Sequence, residues 1–210
     1  MHYLCTRVKN PTDSDDKKLA RVIGFMKGTL KNVRKIISEP FNQVQAYIDA
    51  AHAAHEDGYG HSGGVIMVGG TAVECITRKQ KCIARDSTEA EMVAIEALVL
   101  DVEWHHEWFK GQGYEMKRPL IFQDNTSTIT LVTKGGGKMR NKTMRVKQAV
   151  ILEGFKNGVY DFEYVPTENM IADIYTKALS GFKYYRFKRI IMGMQESKAA
   201  GVRGNMVKNG

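Results

Sequence analysis

The chain has 210 residues and no stretch approaching the roughly 18 uninterrupted apolar residues that a membrane-spanning helix needs. Its start, Met1-His2-Tyr3-Leu4-Cys5-Thr6-Arg7, has neither the long apolar run nor the small-residue cleavage site of a secretory signal. Cysteine is scarce: Cys5, Cys75 and Cys82 are odd in number and lack metal or redox spacing. That excludes a disulfide framework and points to a reducing compartment. Internal repeats are absent, and no histidine follows His106. The expectation is an intracellular protein that is not secreted and has no membrane partner.

What is present is long enough for one substantial domain with appendages. The net charge of +8 is unevenly placed. Residues 1–39 hold nine Lys/Arg against four Asp/Glu, residues 40–181 fifteen against eighteen, and residues 182–210 seven against one. A mildly acidic middle is flanked by basic ends, which suit a polyanion or are simply solvated.

Residues 15–30 carry Leu19, Val22, Ile23, Met26 and Leu30 at helical spacing. Val44, Ala46 and Ile48 alternate with polar neighbours, predicting a strand with Asp49 near its end. Gly58, Gly60, Gly63 and Gly64 predict a turn, followed by a short strand at Val65–Val68. Gly69-Gly70 signals a hairpin into a third strand over Thr71–Thr77. Ser87 or Thr88 is expected to cap a long helix that runs to about Phe109. A strand ending at Asp124, a short helix from Asn125, a helix over 141–156 and a strand over 159–165 follow. A last helix is expected from Thr167 through Leu179. The predicted class is an α/β fold with a mixed five-stranded sheet, its three antiparallel strands first, flanked by helices.

Four acids occupy element ends, where side chains from distant parts of a chain can converge: Asp49, Glu91, Asp124 and Asp173. Hard oxygen ligands of this kind suit Mg²⁺ or Mn²⁺. The alternative is that they are caps or solvated charges among 23 acids. His52, His55 and His61 with Cys75 lack zinc-finger spacing. Lys134, Lys138, Arg140, Lys142, Arg145 and Lys147 form a basic run with no acid between Ser127 and Leu152, either a helix face or a track for a phosphate backbone.

Several ordered motifs resemble the ribonuclease H domain of copia-type retrotransposon polyproteins. They are Tyr47-Ile48-Asp49-Ala50, Arg78-Lys79-Gln80-Lys81, Ser87-Thr88-Glu89-Ala90-Glu91, Gln123-Asp124-Asn125, Tyr164-Val165-Pro166-Thr167 and the run Ala172–Leu179. Asn10-Pro11-Thr12 and Met26-Lys27-Gly28-Thr29 resemble the end of the reverse transcriptase of such polyproteins, and Ile191-Met192-Gly193-Met194 resembles their C-terminal region. The resemblance implies a reverse transcriptase remnant over 1–39, a ribonuclease H-like domain over 44–181 and a basic tail over 182–210. It implies a two-metal endonuclease cutting the RNA strand of RNA·DNA hybrids, with Asp49, Glu91, Asp124 and Asp173 as catalytic metal ligands. Glu89 is the rival for the second position. Gln80 and Asn125 are the expected contacts to sugar hydroxyls, which tell a hybrid from duplex DNA. Two departures stand out: the family's His and Asp are absent from Lys142–Lys147, and no His precedes Asp173, where Glu168 is the substitute at hand. The competing reading is an inactive nucleic-acid-binding fragment that keeps the fold.

Overall fold

A computed structural model describes residues 4–5, 7–36, 41–136 and 141–194. It divides into two compact units, Met1–Arg34 and Lys35–Gly210. The first contains helix α1, Asp13–Gly28, beginning after Thr12. The Thr12 amide and hydroxyl both donate to Asp15 Oδ2, at 3.0 and 2.8 Å, and the Asp15 amide donates to the Thr12 carbonyl at 2.8 Å, closing the helix start. Leu19, Ile23, Met26 and Leu30 on this helix and just beyond it stand exposed.

The second unit is built on a sheet of order β3-β2-β1-β4-β5. Its strands are β1 (Gln43–Ala51), β2 (His61–Val68), β3 (Thr71–Lys79), β4 (Lys117–Gln123) and β5 (Asp161–Tyr164). The first three pair antiparallel, and β1–β4 and β4–β5 pair parallel. The helices are α2 (Ser87–Gly111), α3 (Thr126–Lys134), α4 (Lys142–Lys156), α5 (Asp173–Thr176) and α6 (Gly181–Ile191). This is the expected α/β class, a mixed five-stranded sheet with its three antiparallel strands first, flanked by helices. Gly69 and Gly70 take φ of 59° and 76°, the tight hairpin geometry that the glycine pair predicts.

Alternation along β1 divides the core. Val44, Ala46 and Ile48 pack with Ile95, Leu98, Val99, Met144 and Ile151 beneath α2 and α4. Tyr47 belongs to the other face, with Val65, Met67, Phe122, Met170, Ile171, Phe187 and Ile191. Asp49 shares the parity of Tyr47, so it points toward the layer carrying α5 and α6.

Three elements depart from the expectation. Gly63 and Gly64 lie inside β2 rather than in a turn, because both sheet faces are approached closely there. A Cβ on Gly63 would sit 2.6 Å from Thr176 Cγ2, and one on Gly64 2.4 Å from Leu98 Cδ2. Asp86, not Ser87 or Thr88, caps α2: its carboxylate accepts from the Glu89 amide at 2.8 Å. The helix expected from Thr167 to Leu179 is broken into a 3₁₀ turn at Thr167–Asn169 and the four-residue α5, with Met170 and Lys177 extended. Residues Gly181–Ile191 form α6, whose Phe187 and Ile191 supply apolar side chains to the second core.

Candidate metal centre

β1 and β4 are parallel neighbours, with Tyr47 opposite Phe122, so both finish at the same edge of the sheet. Ligands of open α/β sheets gather at such carboxyl ends, where connections leave in different directions. Asp49 is two residues past Tyr47, and Asp124 directly follows Gln123, the last residue of β4. Glu91 arrives from the first turns of α2. Asp49, Glu91 and Asp124 each offer one carboxylate oxygen within 4.8 Å of the others.

Burial makes the cluster unusual. Asp49 is 1% exposed and Glu91 5%. Burial pushes the Asp49 carboxyl up from 3.8 to about 6, against the pull of the Thr176 hydroxyl and the Lys177 ammonium, with Asp173 and Asp124 pushing it further. Glu91 is raised well above the ordinary glutamate value, by burial first and then by the charges of Asp49 and Asp124. Like-charged groups desolvated together resist ionisation, and a cation among them reverses that preference. An all-oxygen donor set fits a hard divalent ion. The residues present fit such a metal.

Asp173 is also buried, but its two oxygens face ammonium groups. Lys177 Nζ lies 2.5 Å from Oδ1 and Lys183 Nζ 2.5 Å from Oδ2. Lys177 also reaches Asp49 Oδ1 at 3.4 Å, and the Thr176 hydroxyl donates to Asp49 Oδ2. One short helix therefore ties Asp173 to the first acid. The Lys177 ammonium is itself held above the ordinary lysine value: burial pulls it down, but the bond to Asp173 and the charges of Asp49, Asp173 and Asp124 outweigh that.

The two candidate acids of α2 are placed differently. Glu91 enters the cluster, whereas Glu89 turns back to accept from the Arg85 amide at 2.9 Å. Asn125 caps α3 with its Oδ1, accepting from Ser127 and Thr128 at 3.0 and 3.2 Å. Gln80 is buried. Its Nε2 donates to Ser62 Oγ at 3.1 Å and to the Ala90 carbonyl at 2.9 Å, so the side chain ties β2 to α2. Lys134, Lys142 and Arg145 are exposed, while Lys138 and Arg140 lie outside the described residues. Lys147 pairs with Glu96 of α2.

The residues that position the acids are less legible in the sequence. Gln123 is fully buried, donates to Glu91 Oε2 at 3.1 Å and accepts from the Asp124 and Asn125 amides at 2.9 and 3.3 Å. Thr167 donates to Asp124 Oδ2 at 2.8 Å. Both belong to the ordered motifs, and a buried amide between two acids is the signal that could have marked Gln123. The histidines make no metal cluster among the described residues. His55 Nε2 meets His61 Nδ1 at 3.2 Å, and His61 Nε2 meets Thr77 Oγ1 at 2.7 Å.

No family model matches the chain. Over 183 residues, 86% of its length, it is 26% identical to the retrovirus-related Pol polyprotein from transposon RE2 of Arabidopsis thaliana. Over 179 residues, 84% of its length, it is 25% identical to that from transposon RE1 of the same plant. Over 186 residues, 88%, it is 23% identical to that from transposon TNT 1-94 of Nicotiana tabacum. The chain spans 13%, 12% and 14% of these relatives. Among solved structures, LC11-RNase H1, isolated from compost, is similar at a TM-score of 0.49 and 19% identity, covering 64% of this chain and 92% of that one. RNase H1 of Halobacterium salinarum is similar at a TM-score of 0.45 and 18% identity, covering 62% and 91%. Over most of its length, the chain is thus similar in sequence to one segment of the retrovirus-related Pol polyproteins of these transposons.

Proposed function

We propose that the chain is a metal-dependent endonuclease that hydrolyses the RNA strand of RNA·DNA hybrids, working as one segment of a transposon Pol polyprotein beside its reverse transcriptase. The observation that carries this reading is the convergence of Asp49, Glu91 and Asp124 at the carboxyl ends of two parallel strands. These three, with Asp173 as the fourth, would hold two Mg²⁺ or Mn²⁺ ions. Bound there, such ions supply an activated water and stabilise charge on the attacking and leaving oxygens of a phosphodiester.

The chain's own groups prepare that chemistry. Gln123 fixes Glu91 and the backbone leading to Asp124, while Thr176 and Thr167 fix Asp49 and Asp124. Glu168 is exposed on the turn whose Thr167 bonds Asp124, and it stands in for the missing histidine as a proton carrier. Lys134, Lys142 and Arg145 are the exposed, described members of a basic run that would track the phosphate backbone; Lys138 and Arg140 of the same run lie outside the described residues. The Asn125 amide nitrogen, left over from its capping role, is a donor for a sugar hydroxyl; Gln80 contributes by holding the start of α2. Membership in a polyprotein of this kind, together with free Cys5, Cys75 and Cys82, supports action inside the cell, in a cytoplasmic particle or the nucleus. No helix among the described residues is long and apolar enough to cross a membrane.

A labelled hybrid incubated with Mg²⁺, Mn²⁺ or chelator tests the proposal. Cleavage confined to the RNA strand, dependent on metal and lost in Asp124→Asn, is the expected result. A second reading, a binding module that does not cut, draws on one observation: both oxygens of Asp173 are held by lysines. Binding of the hybrid without cleavage in any metal would select it.

A further inference from the structure

Helix α6 carries a side-chain pattern that the nuclease reading does not use. Its sequence, Gly-Phe-Lys-Tyr-Tyr-Arg-Phe-Lys-Arg-Ile-Ile, holds four cations, four aromatic rings and no acid. Phe187 and Ile191, one turn apart, anchor the helix in the second core. The opposite face shows Phe182 at 83% exposure, Tyr185 at 62% and an exposed Arg189. These stand at positions i, i+3 and i+7, so ring, ring and guanidinium form one stripe. Single exposed apolar residues are ordinary on a protein surface, but two rings in one turn of a helix without acids are not accounted for by the fold.

The stripe adjoins the acidic centre. Lys183, directly after Phe182, bonds Asp173 Oδ2 at 2.5 Å and the Thr167 carbonyl at 3.2 Å. Arg186 bonds the Glu168 carbonyl at 2.9 Å and Asn169 Oδ1 at 2.5 Å. Thr167 in turn holds Asp124. The first turn of α6 is thereby fastened to the same turn that supports the acids.

We propose that Phe182, Tyr185 and Arg189 form a stacking platform for a single-stranded stretch of nucleic acid that leaves the hybrid beside the acidic centre. Every base has a π face, so exposed rings bind unpaired bases without regard to sequence, and interleaved cations neutralise the phosphates between them. A duplex hides its base faces in the stack and gains little from such rings. The platform therefore distinguishes a hybrid with an unpaired extension from a blunt one. Its place rests on the nuclease reading of the neighbouring acids, but its chemistry does not require cleavage.

The test uses the full chain in chelator, so that binding is read without cutting. Fluorescence anisotropy compares a blunt RNA·DNA hybrid with the same hybrid bearing a six- to ten-nucleotide single-stranded extension at either end. The parent should bind one extended hybrid more tightly than the blunt one. The pair Phe182→Ala and Tyr185→Ala should remove that advantage, a loss of about 5- to 100-fold for one or two stacked bases, while blunt-hybrid binding stays the same. Phe182→Trp should keep the advantage and show quenched indole emission when the extended hybrid binds. Equal weakening on blunt and extended hybrids, or no change on either as a protein-docking face would give, overturns the platform. Loss of the extension advantage in a chain that never cuts would overturn the nuclease reading alone; normal cutting with an unaffected advantage would overturn only the platform.

Discussion

Replacing Asp49 by asparagine should make the metal-free protein more stable at neutral pH. Asp49 is buried beside two other carboxylates, and its carboxyl lies near 6 instead of 3.8. Because the folded state binds this proton more tightly than the unfolded chain, stability falls as pH rises from about 4 to about 6 and stays low above that. At about 1.4 kcal/mol per pH unit, the rise corresponds to a penalty of about 3 kcal/mol at pH 7.5. That penalty is already net of the pull of Lys177; asparagine still accepts from Thr176, but its amide nitrogen then faces the Lys177 ammonium, donor to donor, a loss on the order of 1 kcal/mol. The net gain should be about 1–2 kcal/mol, or roughly 2–8 °C in Tm for a chain of this size. Thermal melts in chelator at pH 7.5 and pH 4 measure it. At pH 4 parent and variant should melt together, because Asp49 already carries its proton there. Mg²⁺ should raise the Tm of the parent more than that of the variant, since it binds the folded acids. An Asp49→Asn protein less stable than the parent at pH 7.5 in chelator would mean that this carboxylate is a satisfied structural partner, and the metal centre would lose its foundation.

Glu91→Gln should abolish hybrid cleavage, whereas Glu89→Gln, which can still accept from the Arg85 amide, should keep it; the reverse pattern in a cleavage assay would reassign the second acid. Gly63→Ala places a Cβ 2.6 Å from Thr176 Cγ2 and 3.2 Å from the Ala172 carbonyl. It should cost about 1–3 kcal/mol by denaturant melts and weaken Mg²⁺ binding by calorimetry. Gly111→Ala, with nothing within 4 Å, is the neutral control, and equal behaviour of the two would refute the packing argument. Changing Lys134, Lys142 and Arg145 together to Gln should flatten the dependence of log affinity on log salt by about 0.9 for each phosphate no longer neutralised. Lys147→Gln should leave that slope unchanged, because its charge is matched by Glu96; a slope that moves with Lys147 alone would place the track elsewhere.

The sequence by itself determined the local elements whose signals are local. Alternation in β1, the glycine hairpin at Gly69-Gly70 and the long apolar periodicity of α2 each depend on neighbours a few residues apart. Ordered motifs likewise named Asp49, Glu91 and Asp124, because strand ends and helix starts are visible as chain positions. The tertiary structure decided what depends on partners far along the chain. Whether Gly63 and Gly64 turn or extend is set by Thr176 and Leu98, which lie 113 and 34 residues away and need the room a side chain would fill. The breaks at Met170 and Lys177 override the helical periodicity of Ile171, Ile174 and Tyr175, and Thr167 and Thr176, in the turns on either side, are committed to Asp124 and Asp49. Lys147 reads as one more cation of a basic run until α2 brings Glu96 against it. Asp173 reads as an ordinary fourth ligand until α5 and α6 bring two ammonium groups onto its oxygens. Residue type and periodicity fix which side chains can take part in a site. Charge pairing and close packing across the sheet edge fix which of them meet, because both act through space and leave no trace in sequence spacing.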